Sequence, residues 1–214
     1  TDNESFPWLS HKSIKLCGED TRVLKVSYAG EKGFEIHVHN NSMKKIYDEL
    51  VQHGENFNLI HFGMLALDSM RLEKNYRSWK SDLTSDYTML QSGLEKWIKF
   101  DKGNFIGKEA LKNEFDLGTS KKFVTLVVDD PEDNKPFGEP VYLSPVFAGD
   151  DYLGPIVSSG YGHRVKKSIS MAILDDRNLN GLNDQLYIDV LGRKRKAYIV
   201  NEALYDPENL KLRS

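Results

Sequence analysis

Tyr28 and Glu35 flank a glycine-containing reversal, Gly30-Glu31-Lys32-Gly33, while Arg71, Tyr76 and Trp79 cluster at the end of a later helical stretch. These residue types suit a flat, hydrogen-bonding heterocycle. An aromatic ring offers a stacking face, and a carboxylate accepts two parallel N–H donors from an amino-pyrimidine edge. The same residues also suit a structural reading in which Tyr28 and Trp79 are core aromatics and Glu35 pairs with a surface lysine. Residue types alone leave both readings open.

Other constellations fall away on spacing. His37 and His39 lie on one strand face, but no third ligand of suitable spacing accompanies them, so solvated histidines are expected and no metal. Ser27, His163 and an aspartate make a hydrolase triad only on paper, since no G-x-S-x-G elbow is present. Gly30-Glu31-Lys32-Gly33 joins strand to strand, and Gly160-Tyr161-Gly162 continues as His163-Arg164-Val165 in β surroundings; neither has the βαβ setting of a dinucleotide site. There is no Walker motif.

The elements that must position Tyr28 and Glu35 read as two strands, residues 22–28 and 34–39, forming a hairpin. Alternation sends Phe34, Ile36 and Val38 to the core and leaves Glu35, His37 and His39 on the other face. Ser42 is placed to cap a helix carrying Met43, Ile46, Tyr47, Leu50 and Val51 and ending near Gly54. A second helix runs from Gly63 to about Lys74 and closes at Asn75, which tolerates a left-handed cap. Residues 76–79 read as a turn with two exposed aromatics. Short helices are expected at 84–94 and 107–115, around a strand at 97–100.

Past Leu117-Gly118-Thr119 the pattern changes. Strand-like runs at 123–128, 141–143, 156–159, 169–174, 186–191 and 196–200 alternate with turn glycines, namely Gly138, Gly154, Gly160, Gly181 and Gly192. Such spacing predicts a small β-barrel or sandwich. The expected fold class is α+β, with residues 1–117 forming one mixed domain and 118–214 a C-terminal β-barrel.

Composition bounds the function. The 214 residues are 39% hydrophobic and 29% charged, as in a globular protein. Lys plus Arg number 29 against 32 Asp plus Glu, a net charge of −3, which offers no broad cationic field for nucleic acid or an anionic membrane. The single cysteine, Cys17, excludes an intrachain disulfide framework and favours a reducing compartment. No run approaches the roughly 18 apolar residues of a bilayer span. A start in what reads as a loop, without an initiator Met, suggests a fragment or a processed chain.

Residues 22–37, centred on Ser27-Tyr28-Ala29-Gly30-Glu31-Lys32-Gly33-Phe34-Glu35, resemble the "R-x-S-Y-x-G-E-x-G-[WF]-E" segment of the glycine-cleavage T-protein (aminomethyltransferase) superfamily. Asp68-Ser69-Met70-Arg71-Leu72-Glu73-Lys74-Asn75-Tyr76-Arg77-Ser78-Trp79, followed by Asp82-Leu83-Thr84, resembles "D-S-x-R-L-E-K-x-Y-R-x-W" of the C-terminal part of dimethylglycine and sarcosine dehydrogenases. Phe100-Asp101-Lys102, Phe105-Ile106-Gly107-Lys108-Glu109-Ala110-Leu111, Val157-Ser158-Ser159-Gly160, Tyr205-Asp206-Pro207 and Leu212-Arg213-Ser214 continue the likeness in family order. Asn75 departs from the glycine common at its place, a change that a left-handed turn accepts.

The resemblance implies part of a folate-binding domain followed by a small barrel. It implies a tetrahydrofolate site in which Glu35 grips the pterin edge, Tyr28 lies beside it, Trp79 is a nearby aromatic and Arg71 either reaches the ligand or holds the fold. Candidate cations for the glutamate tail are Arg71, Arg77 and Lys80. The implied chemistry is transfer of a one-carbon unit from an N-methyl amine, by way of an iminium, to tetrahydrofolate. FAD belongs to a separate N-terminal domain. The family's catalytic aspartate falls in a segment that would precede residue 1, so the missing FAD and folate portion, in cis or as another subunit, is an expected partner, and the chain alone is expected to be inactive. The compartment expected is the bacterial cytoplasm or the mitochondrial matrix. The alternatives are a non-catalytic assembly or regulatory module of the same fold, and a folate-dependent methyltransferase or demethylase.

Overall fold

The computed structural model describes residues 3–129, 138–176, 179 and 186–213. The chain forms two compact units, Thr1–Lys74 with Asp206–Ser214, and Asn75–Tyr205. The first is discontinuous in sequence, because its last residues return after the second.

In the first unit, β1 (His11–Leu16), β2 (Glu19–Leu24) and β3 (Glu35–Val38) form an antiparallel sheet in that order. Strand β1 escapes the sequence pattern because most of its residues are polar and exposed. Its connection to β2 is the pair Cys17 and Gly18, at φ 52 and 82, which is the backbone of a tight hairpin turn matched to strand twist. The predicted pairing of β2 with β3 is present, but both strands are shorter than expected. Their register ends at Leu24 opposite Glu35, so residues 25–34 form a folded loop instead of a tight reversal.

The pleat gives the sheet two unlike faces. His11, Ser13, Lys15, Asp20, Arg22, Leu24, Glu35 and His37 share one; Ile14, Thr21, Val23, Ile36 and Val38 share the other. Thr21 and Val23 of the central strand are buried, whereas Phe34 and Ile36, expected in the core, are exposed. The reason is position: Ile36 lies on β3, a short edge strand with a neighbour on one flank only, and Phe34 lies in the preceding loop, outside the sheet.

Helix α1 (Asn40–Gly54) is capped by His39, whose side chain accepts from the backbone N–H of Asn41, and not by Ser42 as expected. Ser42 instead donates to Glu19 at 2.7 Å. Ile46 is buried, while Met43, Tyr47 and Leu50 remain exposed, so α1 packs through a single row of its apolar face. Helix α2 (Met64–Glu73) closes as expected, with Asn75 left-handed at φ 58.

In the second unit α3 (Lys108–Leu117) forms close to its predicted bounds. Residues 84–94 are turns and not a helix, because Thr84 and Thr88 accept from the backbone N–H groups of Asp86 and Gln91, bonds that compete with a helical ladder. Residues 97–100 are not a strand; a 3-10 turn, Glu95–Trp97, occupies its start.

The barrel consists of β4 (Lys121–Val128), β5 (Pro145–Ala148), β6 (Asp151–Gly162), β7 (Lys167–Asp175), β8 (Leu186–Val190) and β9 (Arg193–Val200). It closes in the order β4-β7-β6-β5-β8-β9, and every pair is antiparallel. Residues 141–143, expected as a strand, lie outside it, and β5 takes that role. Leu126, Val146, Ile156, Leu174, Leu186 and Ile188 fill the interior. Gly154 and Gly160, expected in turns, lie inside β6. At Gly154, φ 154, a methyl group would stand 2.1 Å from the carbonyl oxygen of Ile173, so only glycine lets β6 lie that close to β7. Gly192 makes the β8–β9 turn as predicted, at φ 83 beside Leu191 at φ 52. Gly181 lies outside the described residues.

Candidate functional site

Glu35 opens β3 with its side chain 57% exposed, and His37 on the same face lies 3.4 Å from its carboxylate. A shallow, open depression of about 740 Å³ on the sheet is lined by Lys15, Arg22, Leu24, His37 and His39 among others, and neither Glu35 nor Tyr28 is among its lining residues. Its own exposure, and not that depression, leaves the Glu35 carboxylate open to N–H donors. Tyr28 projects from the 25–34 loop with its ring partly accessible. No group of three or more His, Cys, Asp or Glu among the described residues is arranged to hold a metal ion.

The loop that carries Tyr28 is anchored along its length. The Lys25 backbone donates to Ser10 and accepts from Leu9, at 3.0 and 3.1 Å. The fully buried Lys25 side chain donates to Asn3 Oδ1. Ser27 Oγ accepts from the Ala29 N–H at 3.2 Å, and Phe34 stacks near Phe6, ring centres 5.8 Å apart. Gly30, at φ 78, sits against Lys74, where a methyl group would lie 2.2 Å from Cγ.

Lys74 follows α2 and is 3% exposed. Its ammonium donates to the Asp206 carbonyl at 2.6 Å and approaches the Asp206 carboxylate at 3.3 Å. Burial pushes the Asp206 carboxyl up, but the N–H of Leu210 and the Lys74 ammonium outweigh it and hold the group below its ordinary value. Asp206 and Lys74 were not among the expected site residues. The signal was present in the Leu-Glu-Lys and Tyr-Asp-Pro segments, but nothing local to either reveals that they meet.

Arg71 is 2% exposed, and its Nε donates to Asp68 at 2.6 Å. Trp79 belongs to the second unit and is 76% exposed. Its turn is built around Asp82, which is fully buried. One Asp82 oxygen accepts from the Ser78 N–H at 2.7 Å, and the other accepts from Ser158 of β6. Lys80 in this turn is left-handed at φ 76, a conformation that costs a non-glycine residue energy and is held here by the surrounding bonds. Arg77 lies over the ring of Phe123 at 4.2 Å and donates to the Gly93 carbonyl at 3.1 Å. Burial pushes its guanidinium pKa down, against the pull of Glu95 and Asp82. Arg77 is thus engaged inside the second unit and is not displayed as a surface cation.

A model of the GCVT N-terminal domain matches residues 1–102, and one of the glycine cleavage T-protein C-terminal barrel domain matches residues 121–206. Mitochondrial dimethylglycine dehydrogenase of Homo sapiens is 29% identical over 207 residues, covering 94% of this chain and 23% of that protein. Aminomethyltransferase of Pseudothermotoga lettingae is 31% identical over 205 residues, covering 96% of this chain and 54% of that protein. The crystal structure of the glycine cleavage system aminomethyltransferase T from Bartonella henselae aligns with TM-score 0.80 at 19% identity, over 97% of this chain and 55% of that one, and so shares the fold. The chain spans about half the length of the aminomethyltransferases it matches and 23% of the dehydrogenase. With both parts matched in order and the fold shared along nearly its whole length, the chain belongs to the glycine-cleavage T-protein (aminomethyltransferase) superfamily.

Proposed function

We infer that the chain is the C-terminal tetrahydrofolate-binding module of a dimethylglycine or sarcosine dehydrogenase-like protein. Its work is to hold the folate that receives a one-carbon unit from an N-methyl amine. The observation that carries this reading is the exposed carboxylate of Glu35 beside an anchored loop that presents Tyr28. Tetrahydrofolate supplies the nitrogen nucleophiles that accept the one-carbon unit. The chain's own residues supply recognition. Glu35 accepts paired N–H donors from the pterin edge, and Tyr28 borders it. Trp79 belongs to the second unit, and its part as a nearby aromatic rests on the resemblance alone. Arg71, buried against Asp68, serves better as a support for the end of α2 than as a direct ligand. FAD and the amine belong to polypeptide outside these residues, in keeping with the share of the dehydrogenases that the chain covers.

Calorimetric titration of tetrahydrofolate into the protein tests this reading. Glu35→Ala is expected to weaken binding by about 2–3 kcal/mol, the range for charge-assisted hydrogen bonds. Equal affinities for wild type and variant remove Glu35 from the pterin site. Product analysis of the polypeptide that also carries the FAD portion separates the chemistries. Methylene-tetrahydrofolate supports transfer from an oxidised amine, 5-methyl-tetrahydrofolate points to a methyltransferase, and no product leaves a binding module.

A further inference from the structure

An ammonium group taken almost wholly out of water loses its hydration, and that loss is offset only by fixed acceptors. Lys74 finds them in the carbonyl and carboxylate of Asp206. Asp206 is itself fixed, left-handed at φ 43 with its carboxylate accepting from the Leu210 N–H at 2.9 Å. Leu212, a few residues on, is buried. The stem of Lys74 fills the hollow over Gly30, which lies between Tyr28 and Glu35. A second buried lysine, Lys25 at the start of the same loop, donates to Asn3, and Asn3 donates to the Arg213 carbonyl at 2.5 Å. The beginning and the middle of the loop are therefore both connected, through buried lysines, to residues 206–213. A loop needed only to join β2 and β3 requires neither connection.

We propose that Lys74, tied to Asp206, is a positioning residue for the loop bearing Tyr28 and leading to Glu35, so that residues 206–213 act as a latch that sets ligand affinity without touching the ligand. The proposal rests on the reading of that loop as the tetrahydrofolate site. Lys74→Met keeps the stem over Gly30 and removes the ammonium; Asp206→Asn keeps the ammonium and removes the negative charge.

Isothermal titration of tetrahydrofolate into wild type and both variants is expected to show Kd weakened about tenfold at unchanged stoichiometry, as for a displaced binding group. A purely structural role lowers the stoichiometry of competent protein and leaves Kd alone. Unchanged Kd in both variants overturns the latch. If Lys74→Met does not fold, Asp206→Asn decides by itself. If wild type takes up no tetrahydrofolate, it is the functional reading that has failed, and amide exchange of residues 27–33 in ligand-free protein still decides the latch. Exchange about tenfold faster in the variants supports it, and equal rates overturn it.

Discussion

Gly30 shows how a single residue links sequence to site. Its left-handed backbone and its contact with Lys74 both demand the absence of a side chain. Gly30→Ala is expected to cost about 1–2 kcal/mol from the backbone alone, with more from the clash, read as a lowered denaturant midpoint. The sequence marked Gly30 as a turn residue; the reason for the glycine lies across the unit, in a lysine that pattern reading assigned to the end of α2. Asp206 adds a pH dependence of known sign. Its folded pKa lies below the ordinary value, so its stabilising effect is complete above about pH 4 and is lost as pH falls through the folded value. The stability gap between wild type and Asp206→Asn, measured by denaturant unfolding, should therefore be present at neutral pH and close toward zero in acid. A gap that stays constant into acid removes the carboxylate's charge from the explanation.

Among the elements, the barrel strands were the most legible, because β4, β7 and β8 carry the β-branched runs of strands whose inward side is fully buried. Leu126→Ala in β4, at a completely buried position, should cost about 2–5 kcal/mol in the unfolding of the second unit. Polar segments were the least legible. Strand β1 has too little apolar alternation to be noticed, and the threonine turns of 84–94 mimic helical spacing while their side chains satisfy the backbone locally. The Trp79 turn belongs to the same class. It is organised by Asp82; the motifs holding Asp82 and its barrel partner Ser158 were both visible, but not that the two residues meet. Asp82→Ala should destabilise the second unit by about 2–3 kcal/mol, and Ser158→Ala by about 0.5–1.5, in thermal or chemical unfolding. Equal, negligible effects would show that the buried carboxylate does not hold the turn.

At the scale of the molecule, the discontinuous first unit is the feature with the widest reach. The chain leaves it at Lys74, builds the second unit, and returns at Asp206 to complete it. On the ribosome, the second unit can therefore close its barrel while the first, although begun earlier, still lacks the residues from Asp206 onward. This reverses the usual order in which domains mature as they emerge. A variant cut just before Asp206 would accordingly keep every strand of the barrel and lack the residues that complete the first unit.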